Sequence, residues 1–162
     1  MKINPRSIVP TIVDDDFVLW ESKAILLYLP SKAGICKVSA YPKCPKLRAL
    51  IHQRLLFDSV DFYPHVTAVT NLAYSMEPVM NAQHKDNLER ALILLESFLD
   101  GHDYFVGNNV TIADFAFCSS IATLIAIGFD INSYGKISAW FERMRSLKGF
   151  EQLEEGSQQQ GK

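Results

Sequence analysis

The apolar positions of this chain change their period once, and early. Ile8-Val9-Pro10-Thr11-Ile12-Val13 and Phe17-Val18-Leu19-Trp20 are short β-branched and aromatic runs. Asp14-Asp15-Asp16 between them supplies turn chemistry, so the pair predicts a β-hairpin. A two-stranded hairpin is marginal alone and needs a further strand or a covering helix. A helix comes directly after it, with Ala24, Ile25, Leu27 and Tyr28 on its apolar face and Pro30 and Gly34 as its end. Residues 35–44, with Pro42, Cys36 and Cys44, read as a linker. Beyond it every element has helical period. Leu47, Leu50, Ile51, Leu55 and Phe62 form one stripe; Leu88, Ala91, Leu92, Leu95, Phe98 and Leu99 form a second over Gln83–Asp100, opposite Glu89, Arg90, Ser97 and Asp100. Thr111–Phe129 is apolar nearly all round, the pattern of a central bundle helix. Ile137, Trp140, Phe141, Met144 and Leu147 make a fourth stripe, and the tail from Gly156 has nothing to bury. The reading is a mainly α chain: a hairpin and helix over 1–34, a linker over 35–44, and an all-helical domain over 45–162.

Charge and composition narrow the function classes. With 16 Lys+Arg against 18 Asp+Glu, the net charge of −2 offers no basic face, so no nucleic-acid partner is expected. The apolar run Phe115–Phe129 falls short of the roughly 20 residues that span a bilayer, so no membrane is expected either. The segment Met-Lys-Ile-Asn-Pro-Arg carries no stretch of signal-peptide type. Cys36, Cys44 and Cys118 are odd in number and lack C-x-x-C spacing, which points to reduced thiols and a cytoplasmic protein. His52, His65, His84 and His102 are too widely spaced for a local metal motif, and no metal site is expected. There is no Gly-rich phosphate loop and no G-x-S-x-G elbow.

Four groups of residues could carry chemistry. Val9-Pro10 sits inside a strand-like run, where proline belongs at an edge or bulge. It is either an ordinary edge proline or a cis bond that turns the chain and leaves the Val9 N–H and C=O open to a ligand. Glu21-Ser22 opens a helix directly after a strand. Ser22 is either an N-cap or, with the free N–H groups of the helix start, a site for a carboxylate or phosphate. Glu21 beside it could take an ammonium group, so the two suit an amino-acid zwitterion. Arg54 and Asp58, at i, i+4, fall within the Leu47–Phe62 stripe and are either a buried ion pair or a polar pair facing a cleft, with Tyr63 and Val66 one turn on. Thr111-Ile112-Ala113-Asp114 is a capping box with a folding role only.

Taken in order, Asn4-Pro5, Val9-Pro10-Thr11-Ile12-Val13 and Leu19-Trp20-Glu21-Ser22-Lys23-Ala24-Ile25-Leu26-Leu27-Tyr28 resemble the second half of the glutathione-binding domain of cytosolic glutathione transferases. Tyr41-Pro42-Lys43-Cys44-Pro45, Gln53-Arg54-Leu55-Leu56-Phe57-Asp58 and Val110-Thr111-Ile112-Ala113-Asp114 resemble that family's helical domain, with the insect delta and epsilon classes the nearest pattern and delta slightly favoured by the Tyr41–Pro45 segment. The resemblance implies half of a thioredoxin-like domain followed by the family's helical bundle. It implies that the Val9 backbone before a cis Pro10 pairs with the cysteinyl part of glutathione, and that Glu21 and Ser22, with Lys23 near, hold its γ-glutamyl end. A hydrophobic co-substrate would lie near Phe62, Tyr63 and Val66, and Arg54 and Asp58 would be a polar pair close to the bottom of the site.

The function implied by the resemblance is conjugation of glutathione thiolate to hydrophobic electrophiles, a detoxification chemistry, with glutathione as co-substrate, no other cofactor, and a homodimer as the assembly. Two departures from the family pattern matter. Ser7 stands where delta-class chains usually carry His, which weakens a contact to the glycyl end of glutathione. The resemblance also places the thiolate-stabilising Ser or Tyr in a βαβ unit upstream of Met1, so no catalytic residue is expected within the chain and little or no activity from it alone. The alternative is a non-catalytic transferase-like ligand-binding or interaction protein.

Overall fold

Thr11–Asp14 (β1) and Phe17–Trp20 (β2) pair antiparallel, with Thr11 opposite Trp20 and Asp14 opposite Phe17. The turn is Asp15-Asp16, and Asp15 takes a left-handed φ of 54°, which Asp tolerates better than most side chains. The computed structural model describes residues 3–32, 40–73 and 82–150. Gly34 as a helix stop, Cys36, most of the linker and the tail from Gly156 lie outside the described residues.

Helix α1 (Ser22–Lys32) runs through Pro30 where the sequence reading ends it. Pro30 forfeits one backbone bond, to the Leu26 carbonyl, and this falls in the last turn. That turn is tied from outside: Lys32 ion-pairs with Asp14, Tyr28 donates its hydroxyl to the same carboxylate, and Ser31 Oγ donates to Leu27 O at 3.0 Å. Lys32 first and Tyr28 second hold the Asp14 carboxyl below its ordinary value. The hairpin and helix therefore close on each other through one acid.

The bundle begins with α2 (Pro45–Phe57), passes through a π-helical segment, Asp58–Phe62, and continues as α3 (Tyr63–Ala73). Pro64 explains the π turn. It has no N–H for the Val60 carbonyl and its ring would crowd that group, so the chain widens by one residue just before it. Tyr63 N–H accordingly reaches back five residues to Asp58 O. The buried stripe along this long helix is Ile51, Leu55, Asp58, Phe62, Val66 and Val69. Leu47 and Leu50, assigned to that stripe by period, are instead partly exposed.

Helices α4 (Ala82–Phe98), α5 (Ile112–Ala126) and α6 (Gly135–Arg145) complete the bundle. Its core gathers Phe62, Leu92, Leu95, Phe105, Phe117, Ile121, Leu124, Ile137 and Trp140. A second, smaller cluster of Ile51, Leu55, Val106, Ile112, Ala113 and Ala116 receives Leu26 and Leu27 of α1, and this seam fixes the N-terminal elements on the bundle. The capping box at α5 forms as its spacing predicts: Thr111 N–H and Oγ1 donate to Asp114 Oδ2 at 2.7 and 2.9 Å.

No residue of either strand is fully buried, whereas most of α5 is. Local opening follows buried apolar contact. In hydrogen–deuterium exchange the amides of Thr11–Trp20 are expected to exchange well before those of α5; equal protection would show that the hairpin opens only with the whole fold.

Candidate functional site

The site is assembled at one end of the hairpin. Pairing of Thr11 with Trp20 brings the residues before β1 and those after β2 to the same end. Asn4, buried, organises the first of these segments: its Nδ2 donates to Ile8 O and Thr11 Oγ1, both at 2.9 Å, and its Oδ1 accepts from Arg6 N at 2.9 Å. Ser7 takes a φ of 53° in the turn this creates. The chain then reaches Val9-Pro10, whose peptide bond is cis. Val9 is 92% exposed, and no backbone hydrogen bond engages its N–H or C=O among the described residues.

After β2 the backbone turns into α1 through Glu21, a non-glycine residue at φ 72°. That conformation is sparsely populated and characteristic of functional turns. The Glu21 carbonyl accepts the first helical bond from Ile25 N at 3.0 Å, so Glu21 occupies the cap position and Ser22 is the first helical residue. Of the two readings of Ser22, the N-cap is therefore not the one built. Ser22 is exposed, and its hydroxyl has no partner among the described residues. It stands among backbone N–H groups that no helical carbonyl can satisfy, at the positive end of the helix dipole. Glu21 itself ion-pairs with Arg6, Nη1 to Oε1 at 2.6 Å.

Lys23, expected near the γ-glutamyl end, is already paired. It ion-pairs with Asp58, which is fully buried in the π segment and also accepts a hydrogen bond from Ser120 Oγ at 3.1 Å. Burial pushes the Asp58 carboxyl above its ordinary value, while Lys23 and Ser120 pull it back. The pair anchors the first turn of α1, one residue past Ser22, to the bundle.

Two sequence expectations need correction. Arg54 and Asp58 form no pair. Asp58 lies in the buried stripe, whereas Arg54 flanks it, stacks its guanidinium 3.5 Å from the Phe98 ring centre and donates to Gln53 Oε1 and, at 3.4 Å, to Phe105 O. Phe62 and Val66 face the bundle core and offer no surface to a co-substrate, because the π turn keeps them in register with Asp58 on the inner side. Tyr63 is 51% exposed, with Lys23 Nζ 6.0 Å from its ring centre, and so lies beside the start of α1. No local pattern in the sequence marks Arg6 or Ser120; Ser120 lies 62 residues from Asp58, a separation that no local pattern spans.

Chemically, an open backbone N–H and C=O at Val9 beside an anion-receptive helix start suits an extended, peptide-like ligand bearing a carboxylate. Among the described residues no group of three or more His, Cys, Asp or Glu is placed to hold a metal, and no helix is long and apolar enough to cross a membrane.

Comparison with known proteins bears on the family and the fold. The family model for the glutathione S-transferase N-terminal domain matches residues 1–31, and that for the C-terminal domain matches residues 62–148. A solved glutathione S-transferase, unclassified 2, from Bombyx mori is 35% identical with a TM-score of 0.91, covering 98% of this chain and 74% of that one. A delta-class glutathione transferase from Nilaparvata lugens is 34% identical, TM-score 0.88, over 97% of this chain and 74% of that one. Isozyme E7 from Drosophila melanogaster is 35% identical, TM-score 0.86, over 98% and 73%. Two family models in the right order, an insect transferase fold along nearly the whole chain, and a cis-proline turn facing a helix start lead to one assignment: this chain belongs to the glutathione S-transferase family.

Proposed function

We propose that this protein binds glutathione along the open end of its hairpin and serves conjugation of the glutathione thiolate to hydrophobic electrophiles. The observation that carries the reading is the meeting, at one end of the β1–β2 pair, of an unpaired Val9 backbone with the exposed Ser22 at the start of α1. The cysteinyl backbone of glutathione would pair with Val9 ahead of Pro10, and its γ-glutamyl carboxylate would take the Ser22 hydroxyl and the adjacent N–H groups. The electrophile would approach past Tyr63, the one of the three expected apolar residues that reaches the surface. A homodimer is proposed with Leu56, 65% exposed on its helix, on the shared face.

Isothermal titration of glutathione into the wild-type chain and a Ser22→Ala variant tests the binding. A hydrogen bond to a charged group contributes about 1.5–3 kcal/mol, so Ser22→Ala is expected to weaken glutathione roughly tenfold or more. Equal affinity in a folded variant would remove Ser22 from the site.

Glutathione thiol ionises little at neutral pH without a donor to its thiolate. Of the two hydroxyls that lie two residues from Val9, Thr11 already donates to Ile8 O at 3.0 Å and accepts from Asn4, and Ser7 is held at φ 53° in the turn that Asn4 organises. Conjugation of a generic aryl halide by the 162-residue polypeptide is therefore expected near background. The same engagement of Thr11 favours the second reading, a ligand-binding protein without catalysis. Saturable binding of hydrophobic ligands that is indifferent to glutathione would support that reading over the first.

A further inference from the structure

Glu21 is the group expected to receive the ammonium of a γ-glutamyl ligand, yet the structure places another cation on it. Arg6 reaches from the loop before β1, and its Nη1 lies 2.6 Å from Glu21 Oε1. The reach is set by the backbone. Arg6 N donates to Asn4 Oδ1, Ser7 N donates to Asn4 O at 3.0 Å, and Asn4 is itself pinned to Ile8 and Thr11. Lys23, the nearest other cation along the chain, is engaged with buried Asp58. The Arg6 and Glu21 side chains are 62% and 54% exposed, so a ligand arriving from solvent can exchange with the pair.

We propose that Arg6 competes with the ligand's ammonium group for Glu21, so that this site selects its ligand by the carboxylate at the start of α1 and only weakly by the adjacent ammonium. This rests on the glutathione-binding reading and deepens it. An ammonium approaching Glu21 must displace the guanidinium or share one carboxylate with it, and two like charges at that distance repel. A carboxylate bound at Ser22, one residue along, is spared that competition, because Arg6 cancels the Glu21 charge and leaves the helix dipole to act. The preference follows from Arg6 and Glu21 together, since either alone would give a different one: Glu21 alone favours the zwitterion, and Arg6 alone favours a simple anion.

The test compares glutathione with N-acetylglutathione, which keeps the carboxylates and lacks the ammonium, by isothermal titration into wild-type, Arg6→Gln, and Arg6→Gln in a Glu21→Gln background. Wild type is expected to distinguish the two ligands by less than about twofold. An exposed ion pair is worth up to roughly a fivefold change in an equilibrium. Arg6→Gln should therefore raise the preference for glutathione over its acetylated analogue by about that factor, and the rise should vanish when Glu21 is also removed. An unchanged or lowered preference in Arg6→Gln would overturn the competition while leaving the glutathione reading intact. A rise that persists without Glu21 would likewise overturn it. Absence of binding by either ligand to all three folded proteins would overturn both.

Discussion

Replacing Asp114 by alanine is expected to remove about 4 kcal/mol or more of stability, a large fraction of what a folded domain holds. The carboxylate is fully buried and accepts four hydrogen bonds: from Thr111 N and Oγ1, from Phe105 N at 3.0 Å, and from the Trp140 indole at 3.0 Å. The acid thus ties the start of α5 to the loop before it and to the middle of α6. Deleting it leaves two backbone donors and the indole N–H buried without acceptors, each costing about 1–3 kcal/mol. It also loosens the aromatic stack in which Phe105 lies 4.7 Å from Trp140 and 4.5 Å from Phe117. Urea unfolding followed by tryptophan fluorescence reads the effect, because Trp140 reports on the same contact. Asp114→Asn keeps one acceptor oxygen and is expected to fall between wild type and alanine. An alanine variant within about 1 kcal/mol of wild type would mean that the network contributes little.

The second large effect is expected from Lys23→Met. It leaves the Asp58 carboxylate inside the π segment with only the Ser120 hydroxyl. Breaking a buried pair from one side costs roughly 3 kcal/mol or more, because the remaining charge is uncompensated. The sign of the pH dependence is set by Asp58. Burial already holds its carboxyl above the ordinary value, and loss of Lys23 would raise it further. A raised carboxyl takes up its proton more readily in the folded state, so the stability linked to it is full below the unfolded value near 4 and lost as pH rises through the folded one. The deficit of Lys23→Met should accordingly be larger at pH 7.5 than at pH 5, and Asp58→Asn placed on top should restore much of it. A deficit independent of pH would assign the loss to packing of the lysine stem instead.

The two variants differ in how visible their sites are in the sequence. Thr111 and Asp114 are three residues apart, and a capping box is written in local spacing, so their bond could be read directly. Phe105 and Trp140 as further donors to the same acid could not, because they arrive from other elements. Arg54 and Asp58 show the opposite failure. Their i, i+4 spacing suggests a pair, but the inner face of the long helix carries Asp58 into the core and leaves Arg54 beside it. The lysine that completes Asp58 comes from α1, and the serine from α5. Pattern reading along one helix reports which positions face inward; it contains no information about which element lies opposite. The same limit explains Phe62, on the expected stripe, and Val66, one turn on: both face the core and not a cleft.

The sequence alone determined the hairpin, the helical period of the chain beyond it, the capping box and the family, because each rests on contacts within a few residues or on motifs in fixed order. It also singled out Val9-Pro10 and Glu21-Ser22 as the two places to expect a ligand. Their meeting depended on the register of β1 against β2, and the roles of their neighbours on folding at longer range. Lys23 was turned inward by Asp58, an acid two elements further along the chain, and Arg6 was brought onto Glu21 across the hairpin. Charges respond to whatever stands within a few ångströms, and in a folded chain that is seldom what stands next in sequence.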